Sequence, residues 1–222
     1  GKTLDIQNDK GISGDGSTGQ SVQNSGLIKK SAGTGNSAIT GANLSFTNAA
    51  GAQIIVASGT LSFGVGVFTQ NSGRMTIGSG KTLSIANALT NNAGSLIEGS
   101  GTLNLGGQTL TNNGSIKPGG AGTVGTLNLT GSFNGGSGTL ELDLLNTGSY
   151  DKLFVSGSVV VASPGIVLSP VALSGASWAV GDTFNVVQRG ASGGSATGSL
   201  TAPTGFTASV VNTPAPAPAV AL

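Results

Sequence analysis

The stretch Leu89–Gly114, LTNNAGSLIEGSGTLNLGGQTLTNNG, contains the phrase Leu-Thr-Asn-Asn twice, each time followed closely by Gly. The general form of this phrase is an apolar residue followed by a short polar run that ends in Gly. It recurs through the first half of the chain. The copies are Val22–Gly26, Phe46–Gly51, Phe68–Gly73, Leu89–Gly94 and Leu110–Gly114. Their first residues lie 21 to 24 residues apart. A fixed period of this size is typical of proteins built from stacked structural repeats.

A second phrase, Gly-Thr-Leu-x-apolar, runs in step with the first, as in Gly101–Leu105 of the same stretch. Its two apolar residues stand at i and i+2, which is the period of a β-strand, so both side chains point to one side. The neighbouring positions are mostly Thr, Ser, Asn and Gly, which suit a solvent-facing side. The apolar pairs are Leu4/Ile6, Leu44/Phe46, Leu61/Phe63, Leu83/Ile85, Leu103/Leu105, Leu127/Leu129 and Leu140/Leu142.

Short strands that repeat about every 20 to 25 residues, with Gly and Asn at the corners, predict an all-β parallel β-solenoid. We expect the apolar pairs to stack in interior columns, and the Asn before each corner to form a ladder of side-chain amides. The repeats are predicted over residues 1–137. Residues 138–212, where the repeat stops and Val becomes frequent, are predicted to form either the terminal part of the solenoid or a β-rich C-terminal cap that closes it. Residues 213–222 are predicted to be a Pro/Ala-rich, extended tail.

The composition excludes several classes of function. Only 8% of the 222 residues are charged and the net charge is +1, so there is no electrostatic case for binding nucleic acid. The chain has no Cys and no His, which excludes disulfides, zinc sites built on thiolate or imidazole, and catalysis by an imidazole base. Apolar runs are too short to cross a bilayer, so we expect no direct membrane insertion. Because the chain starts at Gly1 without a signal-like segment, we expect a mature or excised piece of a longer precursor.

Matches to nucleotide-binding motifs are explained by the repeat. GSGKT at Gly78–Thr82 ends like a P-loop, but Met75 stands where the motif needs its first Gly, and a strand pattern follows instead of a helix. The two GxGxxG matches, Gly14–Gly19 and Gly120–Gly125, do not open a helix either. We therefore interpret all three as solenoid corners.

Two hydrolase-like matches lack their partners. The GxSxG match at Gly190–Gly194 has no His to accept the serine proton. Ser149 and Lys152 match SxxK, in which a Lys would act as the base, but they lie in a strand-like run and the accompanying motifs are absent. We expect neither to be a catalytic site.

Carboxylates are the remaining candidates for catalytic residues. The chain has eight: Asp5, Asp9, Asp15, Glu98, Glu141, Asp143, Asp151 and Asp182. Glu141 and Asp143 stand at i and i+2 on one strand, so the two acids would be able to flank a glycosidic bond. Since Leu140, Leu142 and Leu144 take the opposite side, the simpler interpretation is that the two acids form its solvent side.

Metal and cofactor sites are not predicted. Asp9 and Asp15 within the segment NDKGISGDG would hold Ca²⁺ only loosely, because the repeated Asp ladder of calcium-binding solenoids is missing. We expect no catalytic, cofactor or metal residues.

The repeat phrases resemble the β-helical passengers of bacterial autotransporters and filamentous-haemagglutinin-type adhesins. The resemblance rests on LTNNG and GTLNL, on Gly114–Phe133, and on SYDKLFVSGSVVV followed by AVGDTFNVV. It implies a right-handed parallel β-helix, export from a Gram-negative cell, and a place on the cell surface or outside it.

Three classes of function follow as hypotheses. The first is a structural surface protein, an adhesin passenger or biofilm matrix component, which stacks end to end into filaments and contacts a surface glycan or a host or matrix receptor. The second is a β-helical enzyme that cleaves polysaccharides with Glu141 and Asp143. Ice binding ranks last, because no regular Thr-x-Thr array recurs. We expect the first class, and no enzyme.

Overall fold

The computed structural model describes residues 1–161, 165–190, 196–198, 204–210 and 217–221. Within these ranges the chain forms strands and turns and no helix, which confirms the all-β prediction. The strands are β1 (Thr3–Ile6), β2 (Ile12–Ser13), β3 (Gln20–Asn24), β4 (Leu27–Lys30), β5 (Asn36–Asn48), β6 (Gln53–Val56), β7 (Thr60–Gln70), β8 (Arg74–Ile77), β9 (Thr82–Ile85), β10 (Leu89–Asn91), β11 (Leu96–Gly99), β12 (Thr102–Asn112), β13 (Ser115–Pro118), β14 (Thr126–Asn134), β15 (Thr139–Asn146), β16 (Ser149–Tyr150), β17 (Lys152–Val155), β18 (Val159–Val161), β19 (Val167–Ala172), β20 (Val187–Arg189), β21 (Ala196–Gly198), β22 (Ser209–Val210) and β23 (Ala217–Ala221).

Each coil contributes one strand to a first sheet, which we call sheet A. Its strands β1, β4, β6, β8, β11, β13, β15 and β19 follow in this order with parallel pairing. The short strand β16 also belongs to this sheet and pairs antiparallel with β15. The register joins one interior column: Leu4, Ile28, Ile54, Met75, Ile97, Ile116, Leu140 and Leu168. These residue numbers give coils of 19 to 28 residues, around the predicted length. The chain is therefore a parallel β-solenoid of about 7 turns.

Each coil adds two further strand segments in a second sheet, sheet B. In β5 and β12 the two segments belong to one long strand, and the pairing register shifts at the bend, between Gly41 and Ser45 and between Asn104 and Thr109. In other coils the segments are separate strands, as in β2 with β3, β9 with β10, and β17 with β18. A coil thus has three strand segments, one in sheet A and two in sheet B.

The core is built from the predicted Leu-x-apolar pairs. Thirteen of these fourteen side chains are buried, and Leu4 is the exception. Three phenylalanines pack together where two coils meet: the ring of Phe46 lies 4.7 Å from that of Phe63 and 5.2 Å from that of Phe68. Successive coils therefore stabilise each other by stacking similar side chains, and the hydrophobic contact is continuous along the axis.

The predicted amide ladder is confirmed at the corner that follows the second sheet B segment. The side-chain amide of Asn24 donates to Asn48 Oδ1 at 2.8 Å, and that of Asn48 donates to Gln70 Oε1 at 2.8 Å. Further along, Asn91 donates to Asn112 Oδ1 at 2.8 Å. These hydrogen bonds tie corners to the next coil, with one interruption between Gln70 and Asn91.

The two ends of the solenoid differ. At the C-terminal end, β20 pairs in parallel with β17 and also antiparallel with β23, which in turn pairs antiparallel with β22. Strand β23 lies within the segment predicted as a tail. At the N-terminal end, β1, β2 and β3 each pair on one side only, with the second coil.

Among the residues described, no helix is long and apolar enough to cross a membrane.

Candidate functional site

The first coil leaves the interior columns open. Leu4, Ile12 and Val22 are 40%, 49% and 40% exposed, although each stands in a core column. Their partners one coil on, Ile28, Ile39 and Phe46, are all buried. The three apolar side chains and the free edges of β1, β2 and β3 together form a surface that we call the open end.

A buried cation lies just behind the open end. Lys30 is fully buried in the column that also contains Ile6 and Val56. Its ammonium donates to Asp9 Oδ1 at 2.9 Å and to Ser37 Oγ at 3.1 Å, and to the backbone carbonyls of Asn8 and Ala32. The hydrogen bond that the Lys30 ammonium donates to Asp9 lowers the pKa of the Asp9 carboxyl. The network fixes the corner between β1 and β2 and so holds the first coil in place.

Charged side chains concentrate on the outer face of sheet A. Arg74 donates through Nε to Glu98 Oε1 at 2.8 Å, and Thr76 Oγ1 donates to the same oxygen at 2.9 Å. Glu98 is buried under these partners. Arg74 and Glu98 lie 24 residues apart in sequence but in adjacent strands, so the coil register brings them together.

The solvent-side interpretation of Glu141 and Asp143 is wrong for Asp143. Glu141 is partly exposed, but only 1% of the Asp143 side chain is accessible, because residues 119–125 fold over it. Asp143 Oδ2 accepts the backbone N–H of Thr123 at 3.1 Å. The Lys117 ammonium lies 3.6 Å from Glu141 and 3.8 Å from Asp143. The two acids therefore do not present a pair of carboxylates to a common open cleft.

Asp151 completes the support of this loop. It is fully buried, and its two oxygens accept the backbone N–H groups of Gly125 at 2.8 Å and of Asp143 at 2.9 Å. Burial raises the pKa of Asp151 to about 7, although those two N–H groups lower it. Asp143 and Asp151 thus fasten the Gly-rich loop to the solenoid, a role that accounts for both carboxylates.

The nucleotide-motif matches lie at turns, as predicted. Gly78–Thr82 forms the corner between β8 and β9, Gly14–Gly19 connects β2 to β3, and Gly120–Gly125 is the loop held by Asp143 and Asp151. No helix N-terminus follows any of them, so none offers the row of N–H groups that a phosphate needs.

Of the two hydrolase-like matches, the structure describes Ser149 and Lys152. The Lys152 ammonium lies 4.6 Å from the centre of the Tyr150 ring, in a cation–π contact. Most of Gly190–Gly194 lies outside the described residues.

The two candidate calcium ligands have other partners. Asp9 binds Lys30, and Asp15 accepts the backbone N–H of Ser17 at 2.9 Å and the side-chain amide of Gln20. Within the described ranges, no three Asp or Glu side chains gather in a way that would hold a metal ion.

Most strands of sheet B carry no charge, and the charged residues of its described strands are Lys152 in β17 and Arg189 in β20. Strands β5, β7, β9, β10, β12 and β14 contain no Asp, Glu, Lys or Arg. The register aligns Thr60 with Thr82 and Thr102, and beside them Ser62 with Ser84 and Asn104. On the other segment of each coil, Thr47 aligns with Thr69, and Thr90 with Thr111. Since the aligned threonines lie on different segments, they do not form a Thr-x-Thr array in these strands.

The structure contains a cleft at the C-terminal end that no sequence motif predicted. It lies between residues 178–184 and 205–209 and has a volume of about 630 Å³. Trp178, the single tryptophan of the chain, stands at its edge, and Asp182 follows four residues later. A single Trp followed four residues later by an Asp is the sequence feature that would have pointed to this cleft.

Comparisons with protein-family models, with curated proteins and with solved structures give no match. The parallel β-solenoid is compatible with a β-helical passenger.

Proposed function

We propose that this chain is a structural protein of the Gram-negative cell surface or extracellular matrix, an adhesin-type passenger whose solenoid associates end to end. The observation that carries the proposal is the open end, where Leu4, Ile12 and Val22 expose three core columns at once. Apolar columns and free strand edges of this kind favour contact with another coil.

The occupant that we propose for the open end is the open end of a second copy. At the C-terminal end Leu168 and Val187 are buried, and in sheet B β20 already pairs with β23, whereas β19 of sheet A pairs, among the described strands, with β15 alone. A head-to-tail filament would have to displace β23. Two open ends instead offer identical apolar surfaces, which is the condition for a closed two-fold pair.

The energetics require backbone pairing as well as apolar contact. Each of the three side chains is about half exposed, so its burial contributes roughly 1 kcal/mol. Association costs several kcal/mol in lost translational and rotational freedom. Hydrogen bonds along the edges of β1 and β3, at about 1 kcal/mol each, supply the difference. We therefore expect weak, concentration-dependent pairing.

The experiment is a mass measurement by light scattering after size exclusion, at a series of concentrations, for three proteins. The unmodified chain should approach twice its 21.3 kDa as concentration rises. Val22→Lys places a charge in the open end and should remain a monomer. Val67→Lys is the matched control, because Val67 is also an exposed strand valine, at 56%, but lies in β7, which is paired with β5 on one side and β9 on the other. Equal masses for the two variants would overturn the proposal.

A further inference from the structure

The C-terminal cleft has the construction of a small-ligand site. Its volume of about 630 Å³ falls in the range of ordinary ligand pockets. One wall is the segment from Trp178 to Phe184 and the other runs from Gly205 to Ser209. Both walls follow the last turns of the solenoid, away from the open end.

An anchored aromatic ring forms part of the cleft. Trp178 is 36% exposed, and its ring meets that of Phe184 edge to face, with centroids 5.7 Å apart. Phe184 is buried and makes a second edge-to-face contact with Tyr150 at 5.2 Å. The indole is therefore fixed from the core side while part of its surface remains free for a ligand.

The polar groups of the cleft are hydroxyls and one carboxylate. Thr183, Thr207 and Ser209 line it and are exposed. Asp182 Oδ2 accepts the backbone N–H of Ala179 at 2.7 Å, which fixes the carboxylate against the residue that follows Trp178. The lining contains no Lys or Arg, so a phosphate, sulfate or carboxylate ligand would meet a negative charge without a counter-charge.

We propose that this cleft binds a neutral sugar ring. A pyranose has one face of C–H groups, which packs against an exposed indole, and an edge of hydroxyls, which donate to a carboxylate and exchange hydrogen bonds with Thr and Ser. A purely apolar ligand would remove water from Asp182, whose described partner is the single N–H of Ala179, at a desolvation cost. The combination of Trp178, Asp182 and the hydroxyls therefore selects a ligand that is apolar on one face and a hydrogen-bond donor at its edge.

The inference goes beyond the structural role and is independent of it. Sugar binding depends on Trp178 and Asp182, whereas pairing of the open ends depends on Val22, on the opposite end of the solenoid. Either property can fail while the other holds.

The test uses Trp178 as the reporter, because it is the single tryptophan in the chain. The full chain is titrated with the methyl glycosides of glucose, galactose and mannose and with N-acetylglucosamine, and with sodium phosphate as the comparison solute. At least one of the four neutral sugars should give a saturable change in tryptophan fluorescence, with a dissociation constant in the millimolar range typical of a shallow site. Phosphate should give none.

Two variants make the result specific. Asp182→Asn retains one carbonyl acceptor but loses the charge, and should weaken binding by about tenfold. Glu141→Gln, a half-exposed acid on sheet A, should leave it unchanged. Trp178→Phe, followed by calorimetry, should also weaken binding while circular dichroism stays the same. The proposal is overturned if none of the four sugars gives saturation up to about 50 mM, or if Asp182→Asn and Glu141→Gln bind alike.

Discussion

Gln70 accepts a hydrogen bond from the side-chain amide of Asn48 but donates none to Asn91, so the amide ladder is interrupted between Gln70 and Asn91. Its own amide donates to the carbonyl of Gly73 at 2.7 Å, and Asn91 Oδ1, directly next in register, is buried without a partner. The neighbouring asparagines donate both to the next ladder oxygen and to a strand carbonyl one coil on, as Asn91 does to Asn112 and to Ser115. The longer side chain of Gln70 therefore interrupts a pattern that Asn maintains.

Gln70→Asn should restore the ladder and raise stability by about 1 kcal/mol, because a buried acceptor gains a partner. The measurement is the free energy of unfolding in urea. Asn112→Gln makes the reverse change at another rung and should lower stability by a similar amount. If Gln70→Asn is destabilising, the gap at Asn91 is not an energetic defect of the ladder.

Lys30→Met should cost little or nothing, since Met fills a similar volume between Ile6 and Val56 and removes a charge from the core. Asp9→Ala should lower the urea midpoint more, because it leaves the buried ammonium without its carboxylate. The double variant should be more stable than Asp9→Ala alone. A larger loss in Lys30→Met than in Asp9→Ala would contradict the assigned roles.

Asp151 should make stability fall as pH rises from about 4 to about 7. In the unfolded chain this carboxyl ionises near its ordinary value of 3.8, whereas in the folded protein it keeps its proton to about 7. Between these values the folded state binds more protons, so raising the pH favours unfolding. The exposed acids with lowered pKa, Asp5, Asp9 and Asp15, act below this window, where their contribution is lost as pH falls.

The check is the urea midpoint across pH 4 to 8 for the unmodified chain and for Asp151→Asn. The slope in this window should be smaller in the variant, whatever its absolute stability. Parallel curves would mean that the folded Asp151 ionises near its ordinary pKa.

Gly99→Ala should be strongly destabilising, by about 2 kcal/mol or more. Gly99 lies at φ +113° inside β11, and a Cβ there would strike the backbone carbonyl of Ile77 in the previous coil. Gly80 has φ +68° with open space around it, so Gly80→Ala should cost only about 1 kcal/mol of backbone strain. Thermal unfolding compares the two, and equal losses would show that the packing against Ile77 is unimportant.

The repeat predicted the fold because a two-residue period and a 21-residue spacing are both properties of local sequence. Leu83 and Ile85 are buried as their alternation requires. The same alternation predicted that Asp143 faces solvent. This is wrong, because a loop from the previous coil covers Asp143. Leu4 is exposed because β1 pairs on one side only, with β4. The cleft at Trp178 joins segments from 178–184 and 205–209, a contact that no repeat spacing encodes.

The most direct test of the central claim, that the open end pairs with a second copy, is negative-stain electron microscopy across a concentration series. If the open ends pair, we expect single rods at low concentration and rods of twice that length at high concentration. Open filaments would show that the C-terminal end also accepts a coil, and single rods at every concentration would show that the open end does not pair at all; either result would contradict the closed two-fold pair.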